Sequence, residues 1–400
     1  MKILVLNCGS SSVKYKLFDI EKGEVMAQGG VEKIGLKDSF LKLTLPNGEK
    51  VVLEYDMPEH RSAIRNILNV LTSKEYGCIA SYDEIDAVGH RLVHGGEKFN
   101  KSVLITKEVI DKVKECYDLA PLHNPANVTG VEAIEELLPS VPQVGVFDTA
   151  FHQTMPKHAF MYALPYEVYE KYGVRRYGFH GTSHRYVSRR ACEFLGVPYE
   201  EQKIITCHIG NGASITAIDG GKVVDTSMGL TPLEGLVMGT RSGDVDPSIV
   251  TFLMDHMGIS AQEMADILNK KSGIQGMSGV SSDMREIDKA VSEGNERAAL
   301  ALNVYCYRIR KYIGAYTFAM GGVDAIIFTA GVGEHQASVR YDALHGLESL
   351  GIKIDEAKNN ANSGADEVIS AADSKVTIAV IGTDEELLIA KDTEALVSGQ

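Results

Sequence analysis

Asn7–Phe18 reads NCGSSSVKYKLF, and its reading decides the fold. Gly9, three serines and Lys14 suggest a phosphate cradle, because glycine admits backbone N–H groups to an anion while hydroxyls and an ammonium add donors. The stretch is not the pattern G-x-x-x-x-G-K-[ST], since no second glycine precedes Lys14. Nor does a helix follow. Val13, Tyr15 and Leu17 alternate with Lys14 and Lys16, a period of two that marks a strand. A Gly/Ser turn therefore lies between two strands, KILVLNC and VKYKLFDI, at the start of the chain.

The same plan returns at 204–226. IITCHIGNGASITAIDGGKVVDT is a strand, a G-N-G-A-S turn, a strand, a Gly-Gly turn and a third strand. Its match to the opening strand, G-S-S-S turn, strand, Lys-Gly turn and strand lies in lengths, with few identities. This predicts an internal structural duplication, one hairpin-led domain per half. Between the hairpins, strand and helix signals alternate. RSAIRNILNVLTS carries Ile64, Ile67, Leu68 and Leu71 on one helical stripe. AVGHRLVHGG and VPQVGVFD read as strands leaving for loops. Residues 295–320 form a long helix with Ala298, Leu302, Tyr305, Ile309, Ile313, Tyr316 and Met320 at steps of three or four, a core stripe given no chemistry. GGVDAIIFTAGVGEH is a strand running into a G-V-G-E turn, and KVTIAVIGTDEELLIAKDTEAL a last strand, a turn and a terminal helix. The fold class is α/β. The expected domains are 1–149 and 150–385, facing each other across a cleft, with helix 386–400 packing back on the first.

The chain has 400 residues, too many for one ordinary core. Its formal net charge of −14 argues against a nucleic-acid-binding face. Any anionic substrate must then be met by local clusters of Arg, Lys or His. The six cysteines, at 8, 78, 116, 192, 207 and 306, include no C-x-x-C pair and read as reduced thiols of a cytoplasmic protein. No apolar run approaches the ~18 residues that a membrane span needs.

Three glycine-rich turns follow strands, at 9–12, 210–214 and 331–334. Each alone is an ordinary tight turn; three in two duplicated halves point to a nucleotide. Arginine and histidine recur in short loops: His90, Arg91 and His94 in GHRLVHGG, His180 and Arg185 in YGFHGTSHRY, and Arg241 in MGTRSGDVDP. Arg binds carboxylate or phosphate through two donors at once. Set among small and apolar residues, such a head suits a short anion with an apolar tail. Asp148 leaves a buried strand, a common site position, where it would orient a catalytic group or a metal-bound water. Glu385 reads both as a magnesium ligand and as a favourably placed helix N-terminal acid.

Taken together, NCGSSSVKYKLF, GHRLVHGG, VFDTAFHQTMP, RRYGFHGTSH, HIGNGAS, GLTPLEGLVMGTRSGDVDP and FTAGVGEH resemble the acetate kinase family along the whole chain. The resemblance implies two duplicated ribonuclease-H-like (actin-like ATPase) domains with a nucleotide cleft between them, closing over ATP. It implies Mg²⁺-dependent, reversible transfer between ATP and acetate, giving acetyl phosphate and ADP, with Mn²⁺ as a substitute ion, in a homodimer. By the same resemblance Asn7 and Glu385 are the metal residues, and Ser10, Ser12 and Lys14 lie near the phosphates. Arg91, Arg241, His180 and Asp148 are the catalytic set. Val93, Leu122, Phe179 and Pro232 receive the methyl group of acetate beside Arg91. His208, Ile209, Gly210, Asn211 and Gly212 hold ATP, with Asp283, Met284, Arg285, Gly331, Val332, Gly333, Glu334 and His335.

Rival readings are a propionate or butyrate kinase of the same family, since one methylene in an apolar pocket discriminates by only ~1–3 kcal/mol, and a non-enzymatic ATP clamp of the actin or Hsp70 kind. The clamp gives no reason for two arginines and a histidine around a small apolar pocket. A sugar kinase would need a carboxylate base facing an alcohol.

Overall fold

The opening hairpin forms as its alternation requires. In a computed structural model, which describes residues 1–45 and 47–399, strands β1 (Lys2–Cys8) and β2 (Ser12–Asp19) pair antiparallel, with Asn7 opposite Lys14. The Gly9 N–H donates to the Ser12 carbonyl at 2.8 Å and closes the turn. Val13, Tyr15 and Leu17 are buried on one face while Lys14 is exposed between them. Ile3–Leu6 is buried on both faces, as expected of an interior strand.

The chain divides into two compact units: Met1–Phe151 with the terminal segment from Asp384, and His152–Thr383. The first carries β3 (Glu24–Glu32), β4 (Phe40–Thr44), β5 (Lys50–Glu54), β6 (Ala87–Leu92), β7 (Val103–Leu104) and β8 (Gln143–Phe147), in the order β5-β4-β3-β2-β1-β6-β8-β7. The second carries β9 (Lys203–Ile209), β10 (Ala213–Asp219), β11 (Lys222–Thr226), β12 (Ala325–Thr329), β13 (Glu367–Val368) and β14 (Thr377–Val380), in the order β11-β10-β9-β12-β14-β13. Within these, β3-β2-β1-β6-β8 and β11-β10-β9-β12-β14 have one plan. Two antiparallel hairpins are followed by two parallel strands on the other side of the first strand. The duplication expected from turn and strand lengths is thus present as a shared strand order.

In the first unit, helix His60–Leu71 buries Ile64, Ile67, Leu68 and Leu71 in one core with Leu4, Leu6, Val13 and Tyr15. Ile389 and Ala390 of helix Glu385–Val397 pack with Ile3 and Val5 in another, so both sheet faces are covered. Each such side chain is worth ~1.5–3 kcal/mol when fully buried. In the second unit, helix Glu296–Ala319 buries Ala298, Leu302, Tyr305, Ile309, Ile313 and Tyr316.

Three local expectations change. Gly331–Glu334 is no open turn but lies in the short helix Ala330–His335, entered through Ala330 at φ +64°. Glu334 makes the difference: its carboxylate accepts from the Ala330 N–H at 2.9 Å and the Thr383 N–H at 3.2 Å. His90 and Arg91 sit on strand β6, not in a loop. Arg185 lies within helix Gly181–Leu195, which starts one residue after His180.

Candidate active site

Arg91 stands near the end of β6, and Asp148 directly follows the neighbouring parallel strand β8. That pairing brings together two residues 57 apart in sequence. Arg91 Nε donates to Asp148 Oδ1 at 3.0 Å and Nη2 to Oδ2 at 2.6 Å. Asp148 is 1% exposed, so it serves as the buried counter-charge that orients the guanidinium. Its field and hydrogen bonds raise the proton affinity of Arg91, against burial, and keep it charged.

Val93 and His94, just beyond Arg91, hang from two buried asparagines of helix Asn124–Leu137. Asn127 accepts from the Val93 N–H at 3.0 Å, and Asn124 accepts from the His94 N–H at 3.1 Å. Asn127 also donates to the Cys8 carbonyl at 2.7 Å, joining the end of β1, just before the Gly/Ser turn, to the segment after Arg91. Glu385 begins the terminal helix, after the N-cap Asp384, whose side chain accepts from the Leu387 N–H at 3.0 Å. Burial pushes the Glu385 carboxyl up to about 7; the Asp148 and Glu386 charges push the same way, while Arg91 and Lys14 oppose. Lys14 faces Asn7 across the hairpin, and its charge is among those that lower the proton affinity of Glu385. Ser10 is exposed and Ser12 half-buried at the turn itself, and Leu122 is 71% exposed.

The second unit holds a cavity of about 550 Å³. Eight of the expected nucleotide residues line it: Gly210, Asn211, Asp283, Met284, Arg285, Gly331, Val332 and His335. His208, Ile209, Gly212, Gly333 and Glu334 do not. His208 is stacked on His180 at 4.1 Å between ring centres and takes part in a 2.7 Å hydrogen bond with Ser183. Four lining residues escaped the sequence: Gly239, Ser282, Tyr305 and Gln336. Gly239 lies inside the quoted stretch MGTRSGDVDP and Ser282 directly precedes Asp283, and closeness to the named residues was the available signal. Tyr305 was hidden in the core stripe. Gly239 donates to the Asn211 carbonyl at 2.9 Å, which ties the 210–212 turn to the loop carrying Arg241.

Arg241 is half-buried, and burial lowers its proton affinity. Its Nη1 meets only the Pro232 carbonyl at 3.2 Å and the Met238 sulfur at 3.8 Å. Among the described residues no carboxylate pairs with it, which leaves a guanidinium ready for an anion. A Cβ placed on Gly212 would lie 3.2 Å from Arg241 Nη1 and 3.7 Å from His180 Nε2. Glycine here keeps open a space bordered by the Arg241 guanidinium and the His180 ring. His180 itself holds φ +58° just before its helix, an uncommon conformation for a residue with a side chain and one that gathers at functional sites. Phe179 is 3% exposed beside it, and Pro232 half-buried.

Duplicated hairpin-led units, with glycine turns around a cavity, define a protein of the two-domain ribonuclease-H-like class. The acetokinase family model matches residues 2–391. The acetate kinase of Phocaeicola vulgatus is 67% identical over 398 residues, covering 100% of both chains. The crystal structure of Porphyromonas gingivalis acetate kinase superposes with a TM-score of 0.97 at 64% identity, covering 99% of each chain. A propionate kinase from Francisella tularensis subsp. tularensis SCHU S4 gives 0.91 at 42% identity, also covering 99% of each. The chain belongs to the acetokinase family.

Proposed function

We propose that this chain catalyses reversible transfer of the ATP γ-phosphoryl group to acetate, giving acetyl phosphate and ADP by direct in-line transfer. The carrying observation is 67% identity to an acetate kinase across the full length, against 42% to a propionate kinase. A carboxylate is already ionised at neutral pH and needs no general base. What the reaction requires is alignment and relief of repulsion between anions.

Arg91, oriented by Asp148, binds the acetate carboxylate; the family resemblance assigns Val93 and Leu122 of the first unit, and Phe179 and Pro232 of the second, to its methyl group. The cavity lined by Gly210, Asn211, Asp283 and Gly331 takes the nucleotide. Arg241 and His180 donate to the equatorial oxygens of the transferring group, where preorganised donors count most. Asn7 and Glu385 hold Mg²⁺, or Mn²⁺ in its place. Their fit is chemical: an amide oxygen and a carboxylate are hard donors, and the raised Glu385 is a carboxyl that a cation would keep ionised. Among the described residues no cluster of three or more His, Cys, Asp or Glu could hold a metal. When bound, Mg²⁺ neutralises phosphate charge.

The homodimer reading is supported by helix Pro247–Met257, which buries no residue and exposes Ile249, Phe252 and Met257. Six unbonded cysteines, five of them buried, favour the reducing cytoplasm. No helix among the described residues is long and apolar enough to cross a membrane.

Incubation with ATP, Mg²⁺ and acetate, propionate or butyrate, with hydroxylamine trapping the acyl phosphate, tests this. Acetate should give the most hydroxamate and propionate less. No hydroxamate from any acid overturns the reading.

A further inference from the structure

The sheet face of the second unit that meets helix Gly181–Leu195 is polar where such faces are usually apolar. Strands β9 and β10 present Thr206, His208, Ser214 and Thr216, with Ser214 opposite His208 and Thr216 opposite Thr206. His180 and His184, four residues apart, lie on one side of the helix start. The result is a chain of short hydrogen bonds. Thr206 Oγ1 is 2.7 Å from His184 Nδ1, His184 Nε2 is 2.7 Å from Ser214 Oγ, and Ser214 Oγ is 2.9 Å from His180 Nδ1. Thr206, His184 and Ser214 are all 0% exposed.

Counting hydrogens gives this chain a direction. Among the described residues the Thr206 hydroxyl has no side-chain partner but His184, so its single hydrogen must go to His184 Nδ1 or to nothing. Buried donors do not stay unpaired. Burial holds His184 neutral, its proton affinity far below that of an ordinary imidazole. Its one ring hydrogen is then on Nε2 and is donated to Ser214. Ser214 accepts that hydrogen, and its own has, among the described residues, only His180 Nδ1 left to receive it. The hydrogen of a neutral His180 is left on Nε2, the atom that faces the space kept open by Gly212. The reversed chain would strand the Thr206 hydrogen in a dry interior.

We propose that Thr206, His184 and Ser214 are positioning residues that fix His180 as its Nε2–H tautomer, so that a neutral imidazole presents a donor to the transferring phosphoryl group. This rests on the reading of His180 given under Proposed function. It refines that reading: directed hydrogen bonding, not a full positive charge, is what His180 contributes. All three residues act through His180 and touch no substrate.

The test pairs spectroscopy with kinetics on the full chain. The ¹⁵N shifts of labelled histidine, with His180 assigned by loss of its signals in His180→Gln, should show nitrogen-bound hydrogen on Nε2 at pH 8. Thr206→Val keeps the shape and removes the hydroxyl. It should populate the Nδ1–H form and lower kcat roughly 10-fold, less than the 10²–10³-fold of losing a donor outright, with ADP affinity unchanged. Thr206→Ser should restore tautomer and rate. In a His180→Gln background, Thr206→Val should cost nothing more. An Nδ1–H His180 in the native chain overturns the proposal, as does a Thr206→Val chain with native tautomer and native kcat. Should the native chain form no acetyl phosphate, the function fails, yet the tautomer measurement, which needs no turnover, still decides this point.

Discussion

Gly212→Ala adds one carbon atom at the place where the chemistry is expected. The backbone there is not in the left-handed region, so alanine meets no conformational barrier. The new methyl would stand 3.2 Å from Arg241 Nη1 and 3.7 Å from the His180 ring. Only the first contact is tight, and the atom that must yield is the far end of a flexible side chain. Folding should survive, with the thermal midpoint within ~2 °C of native, since surface-like changes without a named mechanism fall within ~0.5 kcal/mol. If Arg241 serves the transferring group as proposed, the same displacement moves its guanidinium away from that group. Losing one preorganised donor costs ~10²–10³-fold in kcat, or ~2.7–4 kcal/mol. A displaced donor is not an absent one, so ~10²-fold is the expected loss. Acetyl hydroxamate formation under saturating ATP and acetate measures kcat; equilibrium titration with ADP measures nucleotide affinity, which should move less than 3-fold, roughly 0.6 kcal/mol. A native kcat in a correctly folded Gly212→Ala chain would refute the convergence of Arg241 and His180 on the transferred group.

Arg241→Leu, which removes the donor outright, should lower turnover by at least ~10²-fold with the fold intact by circular dichroism; near-native turnover ends its assigned role. Asp148→Asn leaves Arg91 without its counter-charge. Removing one partner of a buried pair costs ~3–5 kcal/mol, and with Arg91 28% exposed the lower end, ~3 kcal/mol, is expected; an unshifted urea midpoint would contradict this. Glu385 ionises at about 7 in the folded chain against 4.5 for an ordinary glutamate, so between those values the folded state holds the extra proton. Stability of the metal-free chain should therefore fall as pH rises from ~5 to ~7, by at most ~3 kcal/mol at ~1.4 kcal/mol per tenfold difference in proton affinity. Glu385→Gln should flatten that slope in urea melts at pH 5 and pH 8, and identical slopes would count against the buried carboxyl. Gly314→Ala, inside helix Glu296–Ala319 with nothing within 4 Å of the added carbon, should stabilise by ~0.5–1 kcal/mol; a lower melting temperature would show that the site is not open.

What could be read in the sequence and what could not divide along one physical line. Hairpin strands announce themselves, because period-two alternation and a glycine turn are properties of neighbours in the chain; both duplicated openings were legible for that reason. Gly331–Glu334 looked like a third such turn. It is helical because the Glu334 carboxylate gathers the N–H groups of Ala330 and Thr383, the latter 49 residues away. No local pattern carries that contact. Tyr305 shows a subtler limit: a helical stripe records which side is buried, not that one member of it lines a cavity. Asp148 was visible as a carboxylate leaving a strand, but only the parallel pairing of β6 with β8 makes it the partner of Arg91. The polar face behind His180 follows the same rule. Thr206 and Ser214 look like ordinary β-strand residues, and His184 like a fourth histidine in a basic helix start. Each acquires a direction for its hydrogen only when the other two are present. Sequence therefore names the groups proposed to touch substrate, through motifs dense in glycine and arginine. The groups that decide in which protonation state and orientation they act are spread along the chain, and they become readable once hydrogen bonds are counted in three dimensions.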